Sequence, residues 1–227
     1  MTDPLRIVSL VPSVTETLTA WARQPIACTR FCERPDLTQV GGTKDPEIAR
    51  IAELAPDLVV VDTEENRRED YDALTASGLD VVALSVRSVE DVDTQLALLA
   101  ARVEVDWEPP RLPVLPLATT TAFVPIWRRP WMTIGRPTYG ASLLDHLGIT
   151  TVFEDEGPYP TVGLDEVRRR NPDLVLAPSE PYPFTKRQLP ELSSVAPTTF
   201  VDGRDLFWWG DRTPNALDRL AASIFGG

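Results

Sequence analysis

Ile48-Ala49-Arg50-Ile51-Ala52-Glu53-Leu54-Ala55-Pro56-Asp57-Leu58-Val59-Val60-Val61-Asp62 decides the fold. It reads as a short amphipathic helix, a Pro-Asp break that stops it, and a Leu/Val run long enough for one buried parallel strand. A charged loop, Glu64-Glu65-Asn66-Arg67-Arg68, follows. The same order returns in Leu164-Asp165-Glu166-Val167-Arg168-Arg169-Arg170-Asn171-Pro172-Asp173-Leu174-Val175-Leu176-Ala177, with Glu180-Pro181-Tyr182-Pro183-Phe184 after it. In an open parallel sheet, ligands sit at the loops beyond the carboxyl ends of the strands. One such unit in each half of the chain predicts two Rossmann-like α/β lobes with mainly parallel central sheets and a ligand cleft.

Outward from the first unit, Arg6 to Leu10 reads as a strand that leads through Val11-Pro12-Ser13 into a helix. Ser13 with Glu16 has capping-box form; alternatively, the amide groups of this helix start hold an anionic or carbonyl-bearing ligand group. A short strand at Ile26 to Thr29 runs into Arg30-Phe31-Cys32, and the paired glycines of Val40-Gly41-Gly42-Thr43-Lys44 allow a tight turn. This loop lacks the spacing of a phosphate-binding P-loop, so nucleotide binding is excluded. A helix from about Glu69, a strand at Val81 to Leu84 and a helix from Ser88 through about Val103 complete the alternation. Residues 1–87 form the first lobe, 88–116 a linking helix with a Pro-rich linker, and 117–227 the second lobe. In the second lobe we expect an aromatic, cationic block at Ile126 to Arg136, a helix over Tyr139 to Leu147 and a helix around Thr185 to Leu192. A strand at Thr198 to Val201, an aromatic loop from Asp202 to Gly210 and a helix over Pro214 to Phe225 follow.

The 227 residues carry 22 Lys and Arg against 34 Asp and Glu, a net charge of -12. That balance argues against nucleic acid or an anionic membrane surface as the partner. No stretch approaches the roughly 18 to 20 apolar residues of a membrane span. The start, Met1-Thr2-Asp3-Pro4, has no signal-peptide pattern, so the expected location is cytoplasmic. Cys28 and Cys32 then read as free thiols.

Trp127, Trp131, Tyr182, Phe184, Phe207, Trp208 and Trp209 fall at expected strand ends and loops, which suits an apolar wall for a large flat ligand. Arg30, Lys44, Arg128 and Arg212 offer cationic contacts to carboxylates or amides of such a ligand. No Gly-x-Ser-x-Gly, His-Glu-x-x-His or Cys-x-x-Cys motif is present.

Taken with Arg6-Ile7-Val8-Ser9-Leu10-Val11-Pro12-Ser13-Val14-Thr15-Glu16, the Val40 to Lys44 loop, the two Pro-Asp-Leu-Val units and Trp208-Trp209, the chain resembles the class III substrate-binding proteins. This helical-backbone metal receptor group includes the vitamin B12 and iron-siderophore binding proteins of ABC importers. Phe31-Cys32, Val124 to Met132 and Glu180-Pro181-Tyr182 look like a cytoplasmic, actinobacterial-type branch. The resemblance implies two lobes joined by a helix, and a cleft lined by Pro12 and Ser13, Thr43 and Lys44, Glu64 and Glu65, and Trp208 and Trp209. The expected partner is a small-molecule ligand, with a corrinoid (cobalamin) first and another metal chelate, haem or siderophore, second. It is bound without catalysis, and no resident cofactor, protein-held metal or protein partner is specified. The rivals are an enzyme with Cys32 as nucleophile or lower metal ligand, and an interaction module without a ligand.

Overall fold

The computed structural model describes residues 4–112 and 119–226, so Pro113 to Pro116 of the expected Pro-rich linker, and the first two residues of the expected second lobe, lie outside the described residues. The chain divides into two compact units. The first comprises residues up to Val86, Glu90–Pro109 and Trp209–Asp211; the second comprises Arg87–Val89, Pro110–Trp208 and Arg212 onward.

In the first unit the order is β1 (Ile7–Ser9), α1 (Pro12–Ala20), β2 (Ala27–Cys28), β3 (Thr38–Gln39), α2 (Ile48–Glu53), β4 (Leu58–Asp62), α3 (Arg68–Ala76), β5 (Val81–Leu84) and α4 (Val89–Arg102). All five strands are parallel, in the order β3-β2-β1-β4-β5. β4 lies inside the sheet between β1 and β5, and all five of its residues are buried. That is why Leu58-Val59-Val60-Val61 is continuously apolar rather than alternating. The Val8, Leu10, Val40, Ile51, Val59, Val61 and Leu74 side chains form the core. α4 has 14 residues, about 21 Å of axis.

The second unit contains β6 (Thr120–Phe123), β7 (Pro125–Arg128), β8 (Trp131–Thr133), α5 (Tyr139–His146), β9 (Ile149–Thr151), β10 (Thr161–Val162), α6 (Leu164–Arg170), β11 (Leu174–Pro178), α7 (Leu189–Leu192), β12 (Thr198–Val201), α8 (Gly203–Phe207) and α9 (Thr213–Phe225). Its main sheet is parallel, in the order β12-β11-β6-β9, and an antiparallel sheet, β10-β8-β7, is built on the segment just beyond β6. Phe123, Phe153, Val167, Val175 and Leu192 centre its core.

The two sequence units that decide the fold share one stereochemical device. After α2, Ala55 takes φ +44°, and at the end of α6 Asn171 takes φ +50°. Each is followed by a proline that cannot extend the helix. The next residue then ties down the neighbouring strand. Asp57 Oδ2 accepts from the Arg6 amide at 2.8 Å, and Asp173 Oδ2 accepts from the Thr121 amide at 2.8 Å.

Four local expectations change. The α1 cap is Val11, with Pro12 in the first turn and no side-chain cap, so Ser13 and Glu16 form no capping box. Proline's fixed φ starts the helix two residues earlier than the Ser-x-x-Glu pattern implies. The aromatic block around Trp127 is the β7–β8 hairpin rather than a loop. The stretch after Asp202 is a short helix, because the Asp202 side chain accepts from the Arg204 amide and caps it; conversely, only Leu189–Leu192 of the helix expected around Thr185 is α-helical.

Candidate functional site

Parallel strands deliver their following loops to one edge, and in the first unit that edge collects every candidate from this part of the sequence. Pro12 and Ser13 follow β1, Arg30 and Cys32 follow β2, Thr43 and Lys44 follow β3, and Glu64 and Glu65 follow β4. Between β1 and β4 the strand order reverses, the position at which open α/β sheets bind ligands.

Asn66, not singled out from the sequence, ties three of these loops. Its Oδ1 accepts from the Asp62 amide at 2.9 Å, and its Nδ2 donates to Thr43 O at 2.9 Å and Leu10 O at 3.3 Å. Asp62 is its neighbour at the end of β4 and is 1% exposed. Its Oδ1 accepts from the Glu64 and Glu65 amides at 2.8 and 3.2 Å, while its Oδ2 is buried with no hydrogen-bond partner. Burial outweighs those two amides and pushes the carboxyl up to about 7. Lys44 Nζ donates to Glu64 O at 2.8 Å, which links the third loop to the fourth. Arg30 is paired with Asp45 at 2.9 Å. A Cβ at Gly42 would press on this pair, 2.3 Å from Asp45 Oδ1 and 2.7 Å from Arg30 Nη2. Ser13 and Thr43 are buried, Pro12 and Glu64 partly so, and Lys44, Arg30 and Glu65 are exposed.

Cys32 is 6% exposed and Cys28 fully buried, both as free thiols. Thr15 Oγ1 donates to Cys32 Sγ at 3.2 Å, and Thr29 Oγ1 lies 3.2 Å from the same sulfur.

The second unit gathers its aromatic residues likewise. Trp131 stacks on Phe184 at 6.0 Å with the planes 6° apart, Tyr182 lies 4.7 Å from Phe184, and Trp127 meets Tyr182 edge-on at 5.6 Å. Trp131 also contacts Phe123 of the core at 6.5 Å. The group therefore runs from Trp127, 45% exposed, down to Phe123, 0% exposed. Arg128 is engaged by Glu191 at 2.9 Å beside it. Trp208, partly buried, has the Arg204 and Arg212 guanidiniums 5.8 and 5.7 Å from its ring centroid. Arg212 and Arg219 both hold buried Asp205 at 2.6 Å. Burial pushes the Asp205 carboxyl up, but Arg219 and Arg212 outweigh it and leave it below the usual range. Trp209 separates from these residues: it belongs to the first unit and is 4% exposed.

Among the described residues no group of three or more His, Cys, Asp and Glu side chains is placed to hold a metal ion. Nor, among them, is any helix long and apolar enough to cross a membrane.

The family model described as "Periplasmic binding protein" matches residues 7–108. A "Vitamin B12-binding protein" of Pectobacterium carotovorum is 25% identical over 200 residues, 78% of this chain and 72% of that protein. Among solved structures, a periplasmic haem-binding protein from Pseudomonas aeruginosa superposes with a TM-score of 0.79 at 18% identity, covering 99% of this chain and 94% of that one. The periplasmic vitamin B12 binding protein of Vibrio cholerae gives 0.76 at 15% identity, covering 96% and 95%. The chain thus has the two-lobed α/β fold of these periplasmic binding proteins.

Proposed function

We propose that this chain belongs to the periplasmic binding protein family and is a receptor for a large, flat metal chelate, a corrinoid first and a haem or siderophore complex second. It binds without chemistry on the ligand. The observation that carries the reading is the match to vitamin B12-binding proteins, 24–25% identical over three quarters of the chain. The aromatic group of the second unit supports it, because Trp127 and Tyr182 present apolar faces to a ring system while Trp131 and Phe184 anchor them. Such a ligand brings its own metal. The free thiols favour a reducing compartment, so the proposed place of action is the cytoplasm. Fractionation with thiol trapping tests this, and recovery from the periplasm would overturn it.

The function is tested by titrating the fluorescence of the six tryptophans with cobalamin, cobinamide, haem and a ferric siderophore. We expect saturable quenching by one of them with a Kd below about 10 μM, roughly -7 kcal/mol of binding. Trp127→Ala should weaken it about tenfold, about 1.4 kcal/mol. No response to any of the four would reject the reading.

A further inference from the structure

The aromatic group of the second unit stands in a cationic setting that the overall acidity of the chain conceals. Thr120 to Thr133, which builds β6 to β8, and the loop Pro181 to Gln188 hold Arg128, Arg129, Lys186 and Arg187 and no Asp or Glu, in a chain of net charge -12. Of the two acids that flank the loop, Glu191 pairs with Arg128 and the Glu180 side chain lies against Gly203. We propose that this face selects a chelate whose ring carries carboxylates or kindred acid groups, with Arg129, Lys186 and Arg187 as the selecting residues. The inference rests on the receptor reading and narrows its ligand class.

Contacts divide the four cations into two roles. The Arg128 guanidinium is held by Glu191 at 2.9 Å and lies beside Tyr182. Its charge is matched, and it ties the β7–β8 hairpin to α7, so it is a positioning residue. Arg129, Lys186 and Arg187 are exposed, and among the described residues their side chains enter no hydrogen bond or ion pair. Other exposed arginines, such as Arg30, Arg68 and Arg170, each hold a carboxylate. Arg129 lies in the hairpin turn, two residues beyond Trp127. Lys186 and Arg187 lie in a fixed turn, since Gln188 Oε1 accepts from the Thr185 amide and hydroxyl, each at 3.0 Å. Trp127 meets Tyr182 and Arg128 meets Glu191 across these same two segments, so both turns border one aromatic surface.

Free Arg and Lys side chains offer donors and no acceptor. A carboxylate accepts from them and is drawn by their charge. A carboxamide accepts through its oxygen but brings N–H groups that these cations cannot satisfy, and a desolvated donor left unpaired costs affinity. With Trp127 and Tyr182 against the ring, the face suits haem with its propionates, an acid-bearing corrinoid or an acidic siderophore complex. It disfavours a corrinoid whose side chains are all amides.

Two pairs of compounds test the selection by tryptophan fluorescence: dicyanocobyrinic acid against dicyanocobinamide, and haem against its diamide. Ring and metal are shared within a pair, while the side chains change from acid to amide. We expect the acid member of at least one pair to bind about tenfold more tightly, and that ratio to shrink about threefold between roughly 0.02 and 0.5 M salt. Arg129→Gln/Lys186→Gln/Arg187→Gln should bring the ratio below about threefold. Arg50→Gln/Arg68→Gln/Arg169→Gln, which removes as many exposed charges elsewhere, should keep it. The wild-type ratio and its salt dependence need no variant. Amide members bound as tightly as their acid partners, or a ratio indifferent to salt and to the first variant, overturn the inference and leave the receptor reading standing. Silence from all four compounds counts against the receptor reading itself and takes this inference with it.

Discussion

At the end of β4, one carboxyl oxygen is satisfied and the other is not. Asp62 Oδ1 closes the turn over Glu64 and Glu65, and Oδ2 is buried without a partner. The folded carboxyl lies near 7, above its unfolded value of 3.8, so ionisation penalises the native state. Its contribution to stability is complete below about pH 4 and is lost as pH rises through 7. Asp62→Asn has no proton to lose. Denaturant melts from pH 4 to 8 should therefore show wild type losing stability relative to the variant, by at most about 4 kcal/mol. Asn66→Ala strips the hydrogen bonds that join three loops and should cost about 2–4 kcal/mol at neutral pH. Sequence reading placed Asn66 in the right loop without assigning it a role, because an amide side chain marks a turn as readily as a tie between loops. What makes it a tie is the positions of Leu10 and Thr43, distant in sequence.

Among elements, the helix-Pro-Asp-strand unit was legible in the sequence because each part obeys a local rule. The apolar run is too long for an exposed strand, and proline ends the helix. The left-handed residue before proline was not legible: Ala55 gives no signal of positive φ, though Asn171 does. Ala55→Gly should therefore raise stability by about 1 kcal/mol, with a smaller gain from Asn171→Gly, read from urea midpoints. The β7–β8 hairpin escaped the sequence reading because its turn is Arg129-Pro130, without the Asn-Gly or Asp-Gly signature. Its two tryptophans divide the work. Trp131 packs between Phe184 and the core, so Trp131→Ala should cost about 3–5 kcal/mol. Trp127→Ala should leave the thermal midpoint nearly unchanged while weakening the ligand. Melting curves alongside fluorescence titration separate the two, and equal destabilisation by both would argue that Trp127 is packing alone.

Over the whole molecule, the expectation of two α/β halves follows from the repeated unit, but the path of the chain does not. Trp209–Asp211 belong to the first unit although they lie about a hundred residues beyond its helix α4. Trp209 is buried there, the Asp211 amide donates to Thr17 Oγ1 at 3.2 Å, and Trp21 Nε1 reaches Asp211 at 3.3 Å. Gly210 between them takes φ +136°, and a Cβ there would collide with the Thr17 hydroxyl. No periodicity in Trp208-Trp209-Gly210 announces that the chain changes partner at that point. A fragment of residues 1–109 should therefore unfold at lower urea than the first unit does in the full chain, by about 3–5 kcal/mol for the missing tryptophan. A fragment equal to the intact protein would refute that role. During synthesis the same crossing sets a timetable. The first unit emerges early from the ribosome but finds its last three residues only when nearly all of the second has been made. Domains generally fold as they emerge, so the first unit can fold early in this chain but reaches its full stability only when the second is nearly complete.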